Sequence, residues 1–213
     1  MILNPEERNF KVKEYKNFIS TDIKSQIIDL IKEGNPDSIL AKLSSNIVKI
    51  YLEILVKSNK LYLITYELKE EIIGYAILAD KPKYLISEFK DIKNRIFIDL
   101  VINLKFLTVL DILFSLVKLD LIRLNKKNRK ILNESLNLNL IAIKNSHRSK
   151  GYGAIFLKTI TEKFVKKGLN KLICCETYSN RAEEFYTKKL NFFPIGIKIR
   201  IKNNLTVLSK KLF

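Results

Sequence analysis

The 213 residues suffice for one domain that buries its own core, so neither a disulfide framework nor a structural metal is required. The formal net charge of +17 is large, but the lysines are dispersed and no nucleic-acid-binding motif accompanies them. We therefore attribute the charge to a Lys-, Ile- and Asn-rich composition, with nucleic-acid binding as the less favoured alternative. The only cysteines, Cys174 and Cys175, are adjacent and would point to opposite faces of a strand, which argues against a mutual disulfide and fits a reducing cytoplasm.

The N-terminal third alternates between strand and helix patterns. β-branched and aromatic runs separated by polar turns predict strands, whereas apolar residues at three- and four-residue spacing predict helices. The predicted elements are a strand Phe10–Tyr15, a helix from the N-cap Thr21 to the stop at Gly34 and Pro36, a helix Ser38–Lys57 broken near Ser44–Ser45, and a hairpin of Leu61–Tyr66 and Ile72–Leu78 around the turn Lys69–Glu71.

The segment Pro82–Lys130 carries apolar residues at helical spacing, which predicts two or three amphipathic helices. A transmembrane span over Ile96–Val117 is the sharper alternative. Each charge at bilayer depth costs about 2.5–3.5 kcal/mol, and this stretch is interrupted by Asp99, Asn103, Lys105 and Asp111. We expect packing over the domain's own core. A lid, a homodimer contact and peripheral contact with the inner membrane surface stay open.

The C-terminal part predicts a regular succession of strands and helices. Its elements are the strand Leu136–Ile143, the helix Gly153–Lys167, the strand Leu172–Thr177, the helix Asn180–Lys189, and a closing hairpin of Phe193–Ile201 and Leu205–Leu212 around Asn203–Asn204. In the strand Leu136–Ile143, the apolar residues Leu136, Leu138 and Leu140 would point to one face of the sheet, whereas Ile141 and Ile143 would point to the other. A bulge near Leu140–Ile141 would return both groups to one face, although a strand buried on both faces is the alternative.

The loop after this strand leads through two glycines into a helix. The pattern is Arg148-x-x-Gly151-x-Gly153, and a helix start presents unpaired N–H groups and a partial positive charge that suit a phosphate. Glycine lets the backbone approach the anion closely, and Arg148 and Lys150 add positive charge. We interpret the loop as a phosphate site, with an ordinary glycine-bearing turn as the alternative.

The strand Ile141-Ala142-Ile143 and the loop Arg148-x-x-Gly151-x-Gly153 together resemble motif A of the GNAT superfamily of acetyl-CoA-dependent N-acyltransferases. The resemblance implies an α/β (α+β) fold with a mixed, mostly antiparallel central sheet, flanking helices and a helical insertion, about 82–130, between strands 3 and 4 of a single domain 1–213. It also implies acetyl-CoA as co-substrate. The implied cofactor-binding residues are Ile141, Ala142, Ile143, Arg148, Ser149, Lys150, Gly151, Tyr152, Gly153, Ala154 and Asn180.

A second segment resembles another motif of the same superfamily, Asn-x-x-Ala-x-x-Phe-Tyr-x-x-x-Gly-Phe. Here it begins at Asn180, a good N-cap, and contains Phe185 and Tyr186. Asn191 stands for the usual glycine, and Asn is the next best residue for a left-handed helix end. The resemblance implies that Tyr186 is the catalytic acid that protonates the departing thiolate, and a tyrosine suits that role chemically. Core aromatics on an amphipathic helix are the alternative.

The general base is less well indicated. Many superfamily members carry Glu on the fourth strand, at the place of Asn137, which cannot act as a base. The candidates are Glu134, Glu176 and Glu53, or a chain of water molecules. Glu176 ranks first because it ends a strand beside the predicted cleft, with a surface carboxylate as its alternative. His147, the single histidine, is interpreted as a loop residue, and no metal-ligand spacing occurs.

The acceptor is expected to be a small-molecule primary amine. A loose resemblance of the insertion to GNAT proteins of surface-polysaccharide gene clusters favours an amino-sugar nucleotide. A protein N-terminus, a lysine and a polyamine stay open, although a polyamine suits the positive charge poorly. A non-catalytic acyl-CoA-binding or membrane-associated regulatory module on the same scaffold is the competing class of function, because a fold does not prove activity.

Overall fold

The structure, a computed structural model, describes residues 10–103, 121–168, 172–199 and 204–212. Among these residues, eight strands form one mixed sheet in the order β1-β2-β3-β5-β6-β8-β7-β4. The strands are β1 Phe10–Tyr15, β2 Leu61–Leu68, β3 Glu71–Ala79, β4 Leu121–Arg123, β5 Leu136–Ile143, β6 Leu172–Thr177, β7 Phe193–Ile199 and β8 Leu205–Lys211. The helices are α1 Thr21–Gly34, α2 Ile39–Lys42, α3 Ser45–Lys57, α4 Pro82–Ser87, α5 Lys93–Ile102, α6 Lys126–Glu134, α7 Tyr152–Lys166 and α8 Asn180–Glu184.

The sheet divides between β5 and β6. These two strands are parallel, whereas the other pairs are antiparallel. They pair only from Leu136 with Ile173 to Leu138 with Cys175 and then separate, while β5 stays paired with β3 and β6 with β8. The result is an opening within the sheet, bordered by the second half of β5.

Two apolar layers cover the sheet. Helices α1 and α3 pack on one face, where Ile27, Leu52 and Leu55 are fully buried. Helix α7 covers the other face with Phe156 and Phe164. Each fully buried side chain of this kind stabilises the fold by about 1.5–3 kcal/mol. Packed helices thus cover both faces of the sheet. The sides of the two adjacent cysteines confirm the prediction, because Cys175 faces the α7 layer and Cys174 belongs to a separate cluster.

The predicted hairpin and the broken helix are confirmed. The turn residues Lys69 and Glu70 both adopt left-handed φ angles, 50° and 70°, as a two-residue hairpin turn requires. The predicted helix 38–57 is divided between α2 and α3. One cap is wrong: the N-cap of α1 is Ser20, whose hydroxyl accepts from the Ile23 amide, whereas Thr21 is the first helical residue.

Strand β5 contains the predicted bulge, one residue earlier than expected. Ile77 pairs with Leu140 and Leu78 with Leu138, so Asn139 is the additional residue. Leu136, Leu138, Ile141 and Ile143 consequently share the α7 face, whereas Leu140 packs in the layer of α1 and α3. The prediction of one shared face was correct for all of these residues except Leu140.

The insertion packs against the domain's own core. Leu100 is fully buried, and the ring of Phe89 stacks on that of Tyr51 in α3 with centroids 4.0 Å apart. Asp99 accepts a hydrogen bond of 2.8 Å from the Ser44 amide. The short strand β4, which the periodicity did not predict, pairs with β7 at the far edge of the sheet. The insertion therefore joins both halves of the sheet.

No helix among the described residues has the length and hydropathy needed to cross a membrane. Part of the transmembrane span considered above, Ile96–Val117, lies outside the described residues. The same holds for part of the turn Asn203–Asn204 and for residues 200–201 of the predicted strand Phe193–Ile201.

Candidate active site

A cavity of about 1390 Å³ occupies the opening between β5 and β6. Ordinary small-molecule pockets measure roughly 300–1,000 Å³, so this cavity has room for two substrates. Its walls come from the end of α1 and the α1–α2 connection, the insertion, β5, the loop before α7, the end of β6 and helix α8. Gly34 lets α1 end close against β5, because a Cβ at this position would lie 2.3 Å from the Cβ of Ala142.

The second half of β5 presents backbone groups to the cavity. The Lys144 amide donates to Ile73 of β3, which indicates that alternate residues on β5 bond to β3. The intervening residues, Ile141 and Ile143, face the opening. There Arg148 Nε donates to the Ile143 carbonyl at 2.9 Å, and Asn35 Nδ2 approaches the Ile141 carbonyl at 3.4 Å. This edge can therefore pair with an extended ligand that carries amide groups.

The loop before α7 has the geometry of an anion site. Gly151 is the N-cap of α7 with φ 87°, and Ser149 is also left-handed with φ 65°. Helical bonding begins with the amides of Ala154 and Ile155, which both donate to Gly151. The amides of Tyr152 and Gly153 precede the first intrahelical bond, and such orphan N–H groups bind phosphates well. Left-handed and right-handed residues in succession form concave nests of amides.

Most of the predicted cofactor residues line the cavity, namely Ile141, Ala142, Ile143, Arg148, Ser149, Gly151, Gly153 and Ala154. Three do not. Lys150 and Asn180 are exposed outside the lining. The side chain of Tyr152 is buried in the core, with its ring 6.1 Å from that of Tyr66, so only its backbone amide can serve the site.

The segment after β6 differs from the prediction at its first residue. Ser179, not Asn180, is the N-cap of α8, and its hydroxyl accepts from the Ala182 amide at 3.4 Å. Counted back three residues from Ala182, the motif position also falls on Ser179. Ser179 lines the cavity as well, so it has the place that the sequence argument gave to its neighbour.

Tyr186 lies at the cavity on a π-helical turn, Phe185–Lys189, that continues α8. Its ring packs against Phe192 with centroids 5.2 Å apart, and against Phe185 at 5.5 Å. Burial, together with the neighbouring Cys175, raises the pKa of the Tyr186 phenol well above 10. The phenol therefore keeps its proton and can serve as a hydrogen-bond donor.

The carboxylates considered as bases are separated by the structure. Glu176 lines the cavity, where Lys198 Nζ of β7 lies 2.6 Å from its Oε1. Glu134 and Glu53 lie outside the lining, and the Lys24 ammonium lowers the pKa of Glu53. Asn137 is buried and lines the cavity. Among the described residues, no three His, Cys, Asp or Glu side chains come together to hold a metal ion.

Several polar residues of the cavity were not found by sequence reasoning. Tyr178 donates a hydrogen bond of 2.8 Å to Asp37, across the two walls. Burial and this carboxylate raise the pKa of Tyr178 to about 12. The bulge residue Asn139 bonds to the hydroxyl of Tyr51, whose pKa is raised by burial. These partners are far apart in sequence, so local patterns carry no signal for them.

Comparison with known proteins gives one family match. A family model described as "Acetyltransferase (GNAT) family" matches residues 122–192, which include both motifs. No curated protein matches the chain.

Solved structures of low sequence identity share the fold. A GNAT family acetyltransferase from Elizabethkingia anophelis, with acetyl-CoA bound, is 13% identical with a TM-score of 0.52, covering 96% of this chain and 99% of that one. The ribosomal-protein-S18-alanine N-acetyltransferase of Escherichia coli is 11% identical with a TM-score of 0.54, covering 95% and 94%. A polyamine N-acetyltransferase of Drosophila melanogaster is 9% identical with a TM-score of 0.56, covering 94% and 100%.

Proposed function

We propose that the chain is an acetyl-CoA-dependent N-acetyltransferase of the GNAT family, whose family model matches residues 122–192, and that it acetylates the primary amine of an amino-sugar nucleotide. One observation carries the proposal: the opening between β5 and β6 joins the amide-rich start of α7 to a cavity lined by Tyr186. A diphosphate site, an extended backbone edge and a protonated phenol thus follow one another along a single cleft.

The residues present fit the co-substrate. The amides at Gly151–Gly153 and the Arg148 guanidinium would hold the pyrophosphate. The edge of β5 that faces the opening at Ile141 and Ile143, which pairs with no strand among the described residues, would pair with the pantetheine amides. When bound, acetyl-CoA supplies an activated acetyl thioester. An N–H group of β5 is then suited to stabilise the negative charge that develops on the acetyl oxygen. Tyr186 donates its proton or a hydrogen bond to the departing sulfur.

The acceptor amine must lose a proton before it can attack. Asn137 cannot take this proton, and we assign the role to Glu176, the carboxylate on the β6 wall of the cavity. Lys198 lies beside it and competes with the acceptor for the carboxylate.

The charge of the cavity supports an anionic acceptor. Apart from Arg148, which is assigned to the pyrophosphate, cationic side chains still outnumber carboxylates in the lining: the cations are Lys42, Lys83, Arg181, Lys188, Lys189 and Lys198, and the carboxylates are Asp37, Glu176 and Glu184. Such a field attracts polyanions and repels polycations. A nucleotide-linked amino sugar suits it better than the polyamine of the Drosophila enzyme, with which this chain shares only the fold.

The proposal is tested by measuring the release of free CoA thiol from acetyl-CoA with a panel of amines. The panel contains a UDP-linked amino sugar, glucosamine, spermidine and a peptide with an N-terminal alanine. We expect turnover, with the UDP-linked amine giving the highest kcat/KM. Turnover of spermidine alone would refute the acceptor class. Binding of acetyl-CoA without turnover of any amine would favour the non-catalytic module, which the departure at Asn137 also favours.

A further inference from the structure

We infer that Lys198 is a specificity residue that binds a phosphate of the acceptor and thereby releases Glu176 to bind the acceptor's ammonium group. The inference rests on the proposed function, because it concerns the acceptor half of the same cavity. It adds a residue and a required chemical feature of the acceptor: the amine and an anionic group must belong to one molecule.

The two side chains meet through the sheet topology. Glu176 follows Cys175, the last residue of β6 that pairs with β5, and it pairs with Val207 of β8. Lys198 of β7 also pairs with a residue of β8, Leu205. Both side chains project from one face, and their charged atoms lie 2.6 Å apart at the cavity wall. About 15% of the Lys198 side chain and 21% of the Glu176 side chain are exposed, so a ligand in the cavity can reach both.

A structural role explains this pair poorly. Partly buried ion pairs contribute little net stability, because desolvation offsets their attraction. Strands β6 and β7 are already joined through the backbone hydrogen bonds of β8. By contrast, Glu14 contacts Lys163 and Lys167, and this group ties β1 to helix α7 where no sheet hydrogen bonds exist.

The pair instead selects the charge pattern of the acceptor. An acceptor that carries only an ammonium group would take Glu176 from Lys198 and leave a lysine without its counter-ion in a largely enclosed site, which is costly. An acceptor with both an ammonium and a phosphate exchanges one ion pair for two. The uncharged amides of Asn137 and Asn133 also line the cavity, and such amides can donate to phosphate oxygens.

The test compares two acceptors that differ by one phosphate, glucosamine and glucosamine 1-phosphate. We expect Lys198→Met to lower kcat/KM for the phosphorylated acceptor by about 10- to 100-fold, as loss of a charged hydrogen bond does. We expect no loss for glucosamine, because its binding no longer leaves a lysine unpaired. Glu176→Gln should lower both values, because the carboxylate that receives the ammonium group is lost, and the preference for the phosphorylated acceptor should persist, because Lys198 is retained. Lys158→Met, on the exposed face of α7 outside the cavity, is the matched control and should change neither.

Folding and catalysis are separated by two further measurements. The double variant Glu176→Gln/Lys198→Met leaves no unpaired charge, so it keeps the readout if Lys198→Met alone unfolds. Calorimetry in the presence of CoA measures the binding of both acceptors and reports the role of Lys198 without catalysis. An absence of acetyl transfer would refute the proposed function but would leave this binding measurement valid. An unchanged preference for the phosphorylated acceptor in Lys198→Met, in rate and in binding, would overturn the inference.

Discussion

Among the individual residues, Tyr186 is central to the chemistry, which depends on the pH range over which its phenol stays protonated. Its phenol is buried between Phe185 and Phe192 yet borders the cavity, and burial raises its pKa well above 10. A raised pKa means that the neutral, proton-carrying form persists throughout the range in which the acceptor amine becomes deprotonated. The same side chain can therefore assist the leaving thiolate while the amine is already free to attack.

We expect Tyr186→Phe to lower kcat by about 100- to 10,000-fold, the usual contribution of a positioned acid, with little change in acetyl-CoA affinity. Because the pKa is raised, kcat of the wild type should show no alkaline fall below pH 10. Steady-state rates between pH 6 and about 10.5 test both points. Tyr62→Phe is the control, since it removes a hydrogen bond of 2.7 Å to Asp80 outside the cavity. A variant with wild-type kcat would exclude Tyr186 as the acid.

At the scale of the element, the helix starts show where sequence reasoning reaches its limit. Thr21 and Asn180 were each predicted as N-caps, and in both cases the preceding serine is the cap. Ser20-Thr21 and Ser179-Asn180 are pairs of residues that both cap well, so local preference cannot choose between them. The choice follows from where the chain leaves the preceding strand or loop, which tertiary structure determines.

The cap assignment predicts a measurable difference between neighbours. Ser179→Ala should lower the free energy of unfolding by about 0.5–2 kcal/mol, because the Ala182 amide loses its acceptor. Asn180→Ala, one residue later and exposed, should change it by less than about 0.5 kcal/mol. Urea unfolding followed by circular dichroism measures both. Equal losses in the two variants would contradict the assignment.

The π-turn Phe185–Lys189 accounts for a second departure from the family motif. Four residues separate Tyr186 from Asn191, whereas the motif has three before its glycine. A π-turn absorbs one additional residue within a helix. The turn keeps Tyr186 at the cavity, while Asn191, with φ 57°, ends the helix as the glycine would.

Deletion of the exposed Lys188 should therefore be tolerated, since it restores the three-residue spacing and a regular α-helix. We expect a folded, active protein with a melting temperature within a few degrees of the wild type. Deletion of Lys163 within α7 is the comparison: it would rotate the following residues by about 100° and expose apolar side chains such as Phe164. Loss of folding in the Lys188 deletion would refute this account of the π-turn.

The strands were predicted more completely than the site. Strands with a strong β pattern, such as Leu136–Ile143, agree with the prediction to the residue, because the burial of such a strand requires a pattern of apolar residues in its own sequence. The three-residue strand β4 pairs with β7, which lies far along the chain, and has no such record. The same reason applies to Lys198 with Glu176 and Tyr178 with Asp37. The loop before α7 could be predicted from its local sequence. The pairs of polar side chains in the cavity could not, because they come together only when the sheet is assembled.

At the scale of the whole molecule, the described part of the insertion belongs to the folding unit. Phe89, stacked on Tyr51, and the fully buried Leu100 connect it to α3. It also supplies Pro82, Lys83 and Leu85 to the cavity wall. Under the proposed function, these residues would border the acceptor, while the second half of β5 and the start of α7 would hold the cofactor.

Truncation of this contact should weaken the entire fold. We expect Phe89→Ala to cost about 3–5 kcal/mol in a single cooperative transition, a large share of the roughly 5–15 kcal/mol that stabilise a typical protein. Phe18→Ala, whose side chain is 75% exposed, should cost little. Thermal and urea unfolding give the comparison. A separate early transition in Phe89→Ala would show instead that the insertion folds independently.

Calorimetric titration with acetyl-CoA determines whether the start of α7 binds the pyrophosphate of the co-substrate. We expect micromolar binding by the wild type and a loss of about 100-fold or more in Gly151→Glu, which places a carboxylate at the anion site. Gly168→Glu is the matched control, because Gly168 also has a left-handed φ, 65°, but lies away from the cavity with open space around it. Its affinity should equal that of the wild type. No binding by the folded wild type, or equal binding by Gly151→Glu, would contradict the account.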